Sequence, residues 1–194
     1  MSKKIDPRVK RSRLFLQNAL ISLIAEKGFE EITVQEITKK ADLNRATFYL
    51  HFQDKNDLLE QSIREMLDEL VYTLTTRKVA STKEFLFLLF EHIAMHSEFY
   101  RVMLGKKGVS GFTSRLKEVL KEAFYNGLLR AQPDDQKLLI PREILINYIT
   151  SAHIGVILNW LENDMSYSPS YMATNLGLLS EVGFRKAAGM IPRS

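Results

Sequence analysis

No cysteine occurs among the 194 residues, which excludes a disulfide framework, thiolate metal sites and cysteine nucleophiles together. Long apolar runs are missing as well. The stretches Phe85 to Phe90 and Ile154 to Leu161 fall well short of the roughly 18 residues a membrane span needs. The amino terminus has no apolar core of the kind a secretion signal carries. Strand-like alternation is scarce, and neither an internal repeat nor a low-complexity tract is present. What is present is an ordinary globular balance of 45% hydrophobic and 26% charged residues, which excludes wholesale disorder. The length suits one large domain, or a small one joined to a medium one. The expectation is a soluble, cytoplasmic protein with no membrane partner and no cofactor.

The net charge of +4 is unevenly spread. Residues 1–52 hold 10 Lys/Arg against 6 Asp/Glu, whereas residues 53–194 hold 17 of each, so the whole excess is amino-terminal. Lys3, Lys4, Arg8, Lys10, Arg11 and Arg13 oppose only Asp6 there. Such a basic arm suits a polyanion such as DNA, where every neutralised phosphate releases counterions; a frayed, solvated terminus has the same composition.

Apolar residues recur three and four apart along nearly the whole chain, which predicts an all-α protein of about nine helices. Leu16, Leu20, Leu23 and Ile24 share a face of a helix over about 8–27, stopped by Gly28. Thr33 and Glu36 match a capping box for a short helix ending near Ala41. Asn44 caps a third helix, predicted to reach Phe52, and Asp54 caps a long fourth with Leu59, Ile63, Met66, Leu67 and Leu70 as its buried stripe. Beyond Lys78 the charge balances and aromatics concentrate. Ser81 and Glu84 cap a helix through Ile93, a shorter helix covers Glu98 to Leu104, and Gly105, Gly108 and Gly111 mark a connector. Three more helices follow: one through Leu116 and Leu128, one from Pro141 through Ile144 and Tyr148 to about Asn163, and one from Ser168 and Pro169.

The second and third helices, joined by Asp42 and Leu43, have the dimensions of a helix-turn-helix with Leu43 buried in the turn. The third would offer Asn44, Arg45, Thr47 and Leu50 outward, where side chains reach base edges. Tyr49, His51 and Lys55 flank them as phosphate donors. Phe48 and Phe52 are core, as any three-helix head would require. The polar set beside a basic arm serves no packing purpose, and it is this set that points to DNA.

The residues Gly28-Phe29, Thr33-Val34-Gln35-Glu36-Ile37 and the run Ala41 to Lys55 resemble the TetR family of bacterial transcriptional regulators over roughly residues 10–60. The resemblance implies a homodimer with a DNA-binding head, a linking helix and a helical body that binds a small effector. It implies that Thr33, Gln35, Asn44, Thr47, Tyr49, His51 and Lys55 touch the DNA backbone and that Arg45 and Ala46 lie near bases. Asp42 and Ala46 stand where the family usually has glycine; Asp tolerates left-handed dihedrals and Ala is still small. The corresponding division is 1–53 for the arm and helix-turn-helix, 54–78 for the linking helix, and 79–194 for the regulatory and dimerisation domain.

Gly155 to Asp164 with Ser168-Pro169 looks like the last two helices of a TetR subgroup that includes regulators of dihydroxyacetone kinase operons. Ile157, Trp160, Tyr171 and Leu179 could form the apolar seam of a dimer, although an intrachain core would use the same residues. Phe85, Phe90, Met95, Phe99, Tyr100, Met103, Phe124, Tyr125 and Tyr148 make an aromatic and methionine-rich interior suited to an apolar ligand, or simply a core. Of these Phe90, Met95, Phe99, Met103, Phe124, Tyr125 and Tyr148 are the candidate pocket. His92 and His96 share a helix face at a spacing that can hold a metal, with His153 as a distant third ligand, but Ile93 stands where a zincin needs Glu. No metal site is assigned from this pattern alone. The Gly105-Lys106-Lys107-Gly108 loop lacks the strand that precedes a phosphate cradle and reads as a flexible connector.

The sequence thus predicts a DNA-binding transcriptional regulator, a repressor released from a palindromic operator by a small-molecule effector. Two alternatives stand beside it: an activator working with a protein coregulator, and a metal-dependent helical enzyme using His92, His96 and Glu91.

Overall fold

A computed structural model describes residues 7–76 and 81–187, with side chains to residue 183, and every described regular element is helical. The helices are α1 (Pro7–Lys27), α2 (Val34–Lys40), α3 (Arg45–Tyr49), α4 (Lys55–Thr76), α5 (Thr82–Met95), α6 (Ser97–Leu104), α7 (Phe112–Ala131), α8 (Arg142–Glu162) and α9 (Pro169–Ala187), with a single 3-10 turn at Asp135–Lys137. The all-α class and the nine helices agree with the periodicity. Lys3, Lys4 and Asp6 of the basic arm lie outside the described residues, as does Lys78.

The chain divides into two compact units, Met1–Leu67 with Val102–Phe112, and Asp68–Arg101 with Thr113–Ser194. In the first, Leu16, Leu20 and Ile24 of α1, Ile37 of α2, Phe48 of α3 and Leu58 and Ile63 of α4 are all essentially inaccessible to solvent. Gly28 ends α1 at φ +84°, its N–H donating to the Ile24 carbonyl at 2.9 Å. That is the left-handed cap glycine supplies at no steric cost. The segment after α6 is docked rather than free: Lys107 Nζ donates to the Glu26 carbonyl at 2.6 Å. This corrects the flexible connector expected there. Gly108 allows the tight turn, since a Cβ at that position would fall 2.3 Å from the Met103 carbonyl oxygen.

Three local expectations need adjusting. Helix α3 is shorter than expected, ending at Tyr49 rather than Phe52, although the N–H of Phe52 still donates to the Phe48 carbonyl at 2.9 Å. Leu43 is half-buried instead of core, because the turn places it at the rim of the head. On α4, Leu58 is fully buried while Met66 is only half-buried, so the apolar stripe starts one residue before the one expected.

In the second unit Leu89, Phe90 and Ile93 of α5, Leu120 of α7, Ile157 and Trp160 of α8 and Ala173 of α9 form the core. Ring contacts tie the helices together: Phe85 lies 5.4 Å from Phe124, and Phe90 lies 5.1 Å edge-on from Trp160. Among the described residues α8 is long and apolar enough to cross a membrane by length and composition. Counting uninterrupted runs hides this, since Asn147, Thr150, Ser151 and His153 punctuate the helix. Its apolarity has two sources. One face, with Ile146, Ile154, Ile157 and Leu161, enters the core, and the other, with Ile144, Tyr148, Ala152 and Gly155, is exposed.

Candidate nucleic-acid interface

Helix α2 starts with the capping box read from the sequence. Thr33 Oγ1 accepts the Glu36 N–H, and the Thr33 N–H donates to Glu36 Oε2 at 2.9 Å. Lys27 Nζ adds an ion pair to Glu36 at 2.6 Å. The Lys27 ammonium first, and the Thr33 hydroxyl and N–H after it, hold the Glu36 carboxyl down at about 2 from an ordinary 4.5. A carboxylate with a depressed folded pKa contributes stability above its unfolded value and loses it as pH falls toward the folded value. Urea midpoints of the parent are therefore expected to drop between pH 4.5 and pH 2 by more than those of Glu36→Gln. Equal drops would remove Glu36 from the acid response of the head.

Helix α3 has five residues, too few to persist without tertiary support. Its N-cap supplies part of that support: Asn44 Oδ1 accepts the Thr47 N–H at 2.7 Å and the Thr47 hydroxyl at 3.0 Å. The turn before it reaches φ +54° at Asp42, a left-handed conformation that Asp adopts more readily than most residues. This is the position where the family resemblance leads one to expect glycine. Burial of Phe48 and Phe52 then aims the rest of α3 outward. Arg45, Ala46, Tyr49 and Leu50 are exposed, Leu50 at 79%, and Thr47 is half-buried behind them. The Arg45 guanidinium donates to the Tyr49 hydroxyl at 3.3 Å, which lays the arginine along the exposed helix. Thr33 and Gln35 are exposed at the start of α2, which packs directly on α3.

Two of the expected phosphate donors are partly engaged inside the head. His51 Nε2 lies 2.6 Å from Ser12 Oγ of α1, and burial first, then the charge of Arg13, lowers its pKa. Lys55 Nζ donates to the Phe29 and Glu30 carbonyls at 3.2 and 2.8 Å and lies 4.8 Å from the centre of the Phe29 ring. One of its three N–H donors remains for an outside acceptor. Lys55 is therefore a brace for the turn after α1. Arg13, counted in the basic arm, is also internal. It pairs with Glu65, donates to Gln61 at 3.0 Å and covers the Phe52 ring at 4.7 Å. Sequence reading missed Ser12 and Lys107, whose partners lie 39 and 81 residues away along the chain.

The body changes two other sets of expected residues. Ile157 and Trp160 are buried within the chain and are not available for a dimer seam, whereas Tyr171 and Leu179 are exposed. The indole N–H of Trp160 donates to the Tyr167 carbonyl at 2.9 Å, so both its ring and its polar atom are used internally. Of the aromatic and methionine-rich set, Phe90, Phe99 and Met103 are buried, Met103 in the first unit, and Phe124 is half-buried. Met95 and Tyr148 are 65% and 67% exposed, and Tyr125 is exposed beneath the Arg142 guanidinium, so these three do not build an interior. His153 does not join His92 and His96. Its Nδ1–H donates to the Ile149 carbonyl at 2.7 Å and its ring lies 4.8 Å from Phe124.

Comparison with known proteins agrees with this geometry. Residues 17–61 match the family model described as bacterial regulatory proteins, tetR family, and residues 80–181 match that of a transcriptional regulator C-terminal region. The uncharacterised HTH-type transcriptional regulator YxbF of Bacillus subtilis is 29% identical over 187 residues, covering 88% of this chain and 45% of that protein. The biofilm operon icaADBC negative transcriptional regulator IcaR of Staphylococcus aureus is 36% identical over 50 residues, 26% of this chain and 27% of that protein. The matched stretch thus spans less than half the length of either relative. The fatty acid degradation regulator FadR of Bacillus halodurans has a similar fold, with a TM-score of 0.70 at 21% identity over 94% of this chain and 99% of that one. With a capped, outward-facing α3 and a C-terminal match that alone covers more than half of the residues, the chain belongs to the tetR family of bacterial transcriptional regulators.

Proposed function

We propose that the chain is a sequence-specific DNA-binding repressor, working in the cytoplasm as a homodimer and released from a palindromic operator by a small-molecule effector. The observation that carries the reading is the exposed polar surface of α3, where Arg45 and its neighbours are presented by a helix whose apolar side is consumed by Phe48. Two such helices in a dimer would enter successive major grooves about one helical turn apart. Repression is the sense carried by the name of IcaR, whose match lies in the head. Residues 1–53 act as the reading head, 54–78 as the link and 79–194 as the regulatory and dimerisation part. A second copy would cover the exposed stripe Ile144, Tyr148, Ala152 and Gly155 on α8 together with Tyr171, Leu178 and Leu179 on α9. An effector favouring one packing of the body would shift α4, alter the spacing of the two heads and lower DNA affinity. The helical enzyme using His92, His96 and Glu91 is the weaker reading, because the family is one of regulators.

The test is a gel shift with the DNA upstream of the protein's own gene and with genomic fragments. Specific retardation is expected. Arg45→Ala is expected to lose about 1–3 kcal/mol of discrimination at one base position of each half-site and to keep weak general binding. If parent and variant bind all fragments alike, the assignment of α3 as the reading element is wrong.

A further inference from the structure

The sequence places His92 on α5 and His96 four residues on, at the C-cap of that helix, and the fold brings a third donor to them from α4. Glu69 lies on the part of α4 that belongs to the second unit, and its Oε1 is 3.0 Å from His96 Nε2. One nitrogen of each imidazole and one carboxylate oxygen all fall within 4.8 Å of one another, and the two rings lie 4.7 Å apart. We propose that Glu69, His92 and His96 bind one first-row divalent transition-metal ion of the Zn²⁺ type, with water completing its coordination.

The state of His92 is the second observation. The residue is fully buried; its Nε2 lies 3.1 Å from the Tyr100 hydroxyl, and its Nδ1 has no hydrogen-bond partner among the described residues. Buried polar atoms are rarely left so, and each one calls for an explanation. When Nε2–H donates to the phenolic oxygen, Nδ1 keeps its lone pair. A metal-bound histidine is commonly held in this way, its other nitrogen anchored by a hydrogen bond that fixes ring and tautomer. At the other end the site is open, with the His96 side chain 27% and that of Glu69 52% exposed, which gives an ion a way in and room for a water ligand.

The donor set selects the ion. Two imidazoles and one carboxylate suit Zn²⁺ and its neighbours, whereas Mg²⁺ and Ca²⁺ prefer oxygen donors throughout. Ligands about 2.0–2.1 Å from a tetrahedral ion are about 3.4 Å apart. The observed separations, 3.0 Å between Glu69 and His96 and none above 4.8 Å, bracket that value. An ion held here clips the second half of α4 to the C-terminal end of α5. Any effect of it on DNA binding rests on the function proposed above, whereas the site itself does not.

Isothermal titration of the full chain with ZnCl₂, after dialysis against chelator, is expected to give one ion per chain, while MgCl₂ gives no binding. His96→Ala and Glu69→Gln, both at partly solvent-exposed positions, are each expected to weaken Zn²⁺ by more than about tenfold and to keep the parent's circular dichroism; Tyr100→Phe, which removes the hydroxyl that anchors His92, is expected to weaken it by about tenfold. Zn²⁺ should raise the melting temperature of the parent and leave that of His96→Ala in place. Absence of Zn²⁺ uptake by the parent, or unchanged affinity in either ligand variant, overturns the site. Operator affinity measured on the same samples separates the two readings. A chain that takes up Zn²⁺ but ignores DNA supports the site and overturns the proposed function, and one that binds DNA equally with and without Zn²⁺ overturns only a regulatory role for the ion.

Discussion

Phe48→Ala is expected to unfold the amino-terminal unit while the body stays folded. Phe48 is fully buried, its ring edge-on to Tyr49 at 5.4 Å and tilted against Phe52 at 5.8 Å. A five-residue helix does not hold itself, so the position of α3 depends on this ring and on the Asn44 cap. Truncating a buried Phe to Ala costs about 3–5 kcal/mol, which reaches the lower end of the about 5–15 kcal/mol that keeps a whole domain folded. Urea unfolding followed by circular dichroism should show an early transition absent from the parent, and specific DNA retardation should disappear with it. Phe48→Leu should recover part of both. An unchanged unfolding curve for Phe48→Ala would mean that α3 is held by something other than its core ring.

The second large effect distinguishes core from interface on the last two helices. Trp160→Ala is expected to destabilise the body by about 3–5 kcal/mol, because it removes the ring packed on Phe90 and the N–H that pins the Tyr167 carbonyl. Leu179→Glu touches only the exposed side of α9, so the stability of the single chain should move by less than about 0.5 kcal/mol. Light scattering on a sizing column should nonetheless show Leu179→Glu shifted from dimer to monomer, since a charge buried without a partner between two copies is costly. A monomeric but fully stable Trp160→Ala would reverse the assignment and put the indole back in the seam.

Helical periodicity and caps carried most of the fold, because they are local. Thr33 with Glu36, Asn44, Ser81 and Gly28 all act where their spacing placed them. Exposure was less legible. Trp160 and Tyr171 are both aromatic and both fall on a predicted helix, yet one is core and the other faces out, since a helix that is apolar on two sides gives no sign of which side its own chain covers. The outward polar set of α3 followed from the pattern, but the internal tasks of Lys55, His51 and Arg13 did not. Their partners at Glu30, Ser12 and Glu65 are set by tertiary packing. Glu69 beside His96 is the same case, two groups in contact that stand 27 positions apart.

The docking of Lys107 on the end of α1 bears on how this protein can be dissected or recombined. Its first compact unit is assembled from two separate stretches of the chain, residues 1–67 and 102–112, with Phe112 almost fully buried. A fragment cut after Leu67 would lose that lining together with the cap on the Glu26 carbonyl. Chimaeras that graft this unit onto another protein should therefore carry residues 102–112 along with the leading segment.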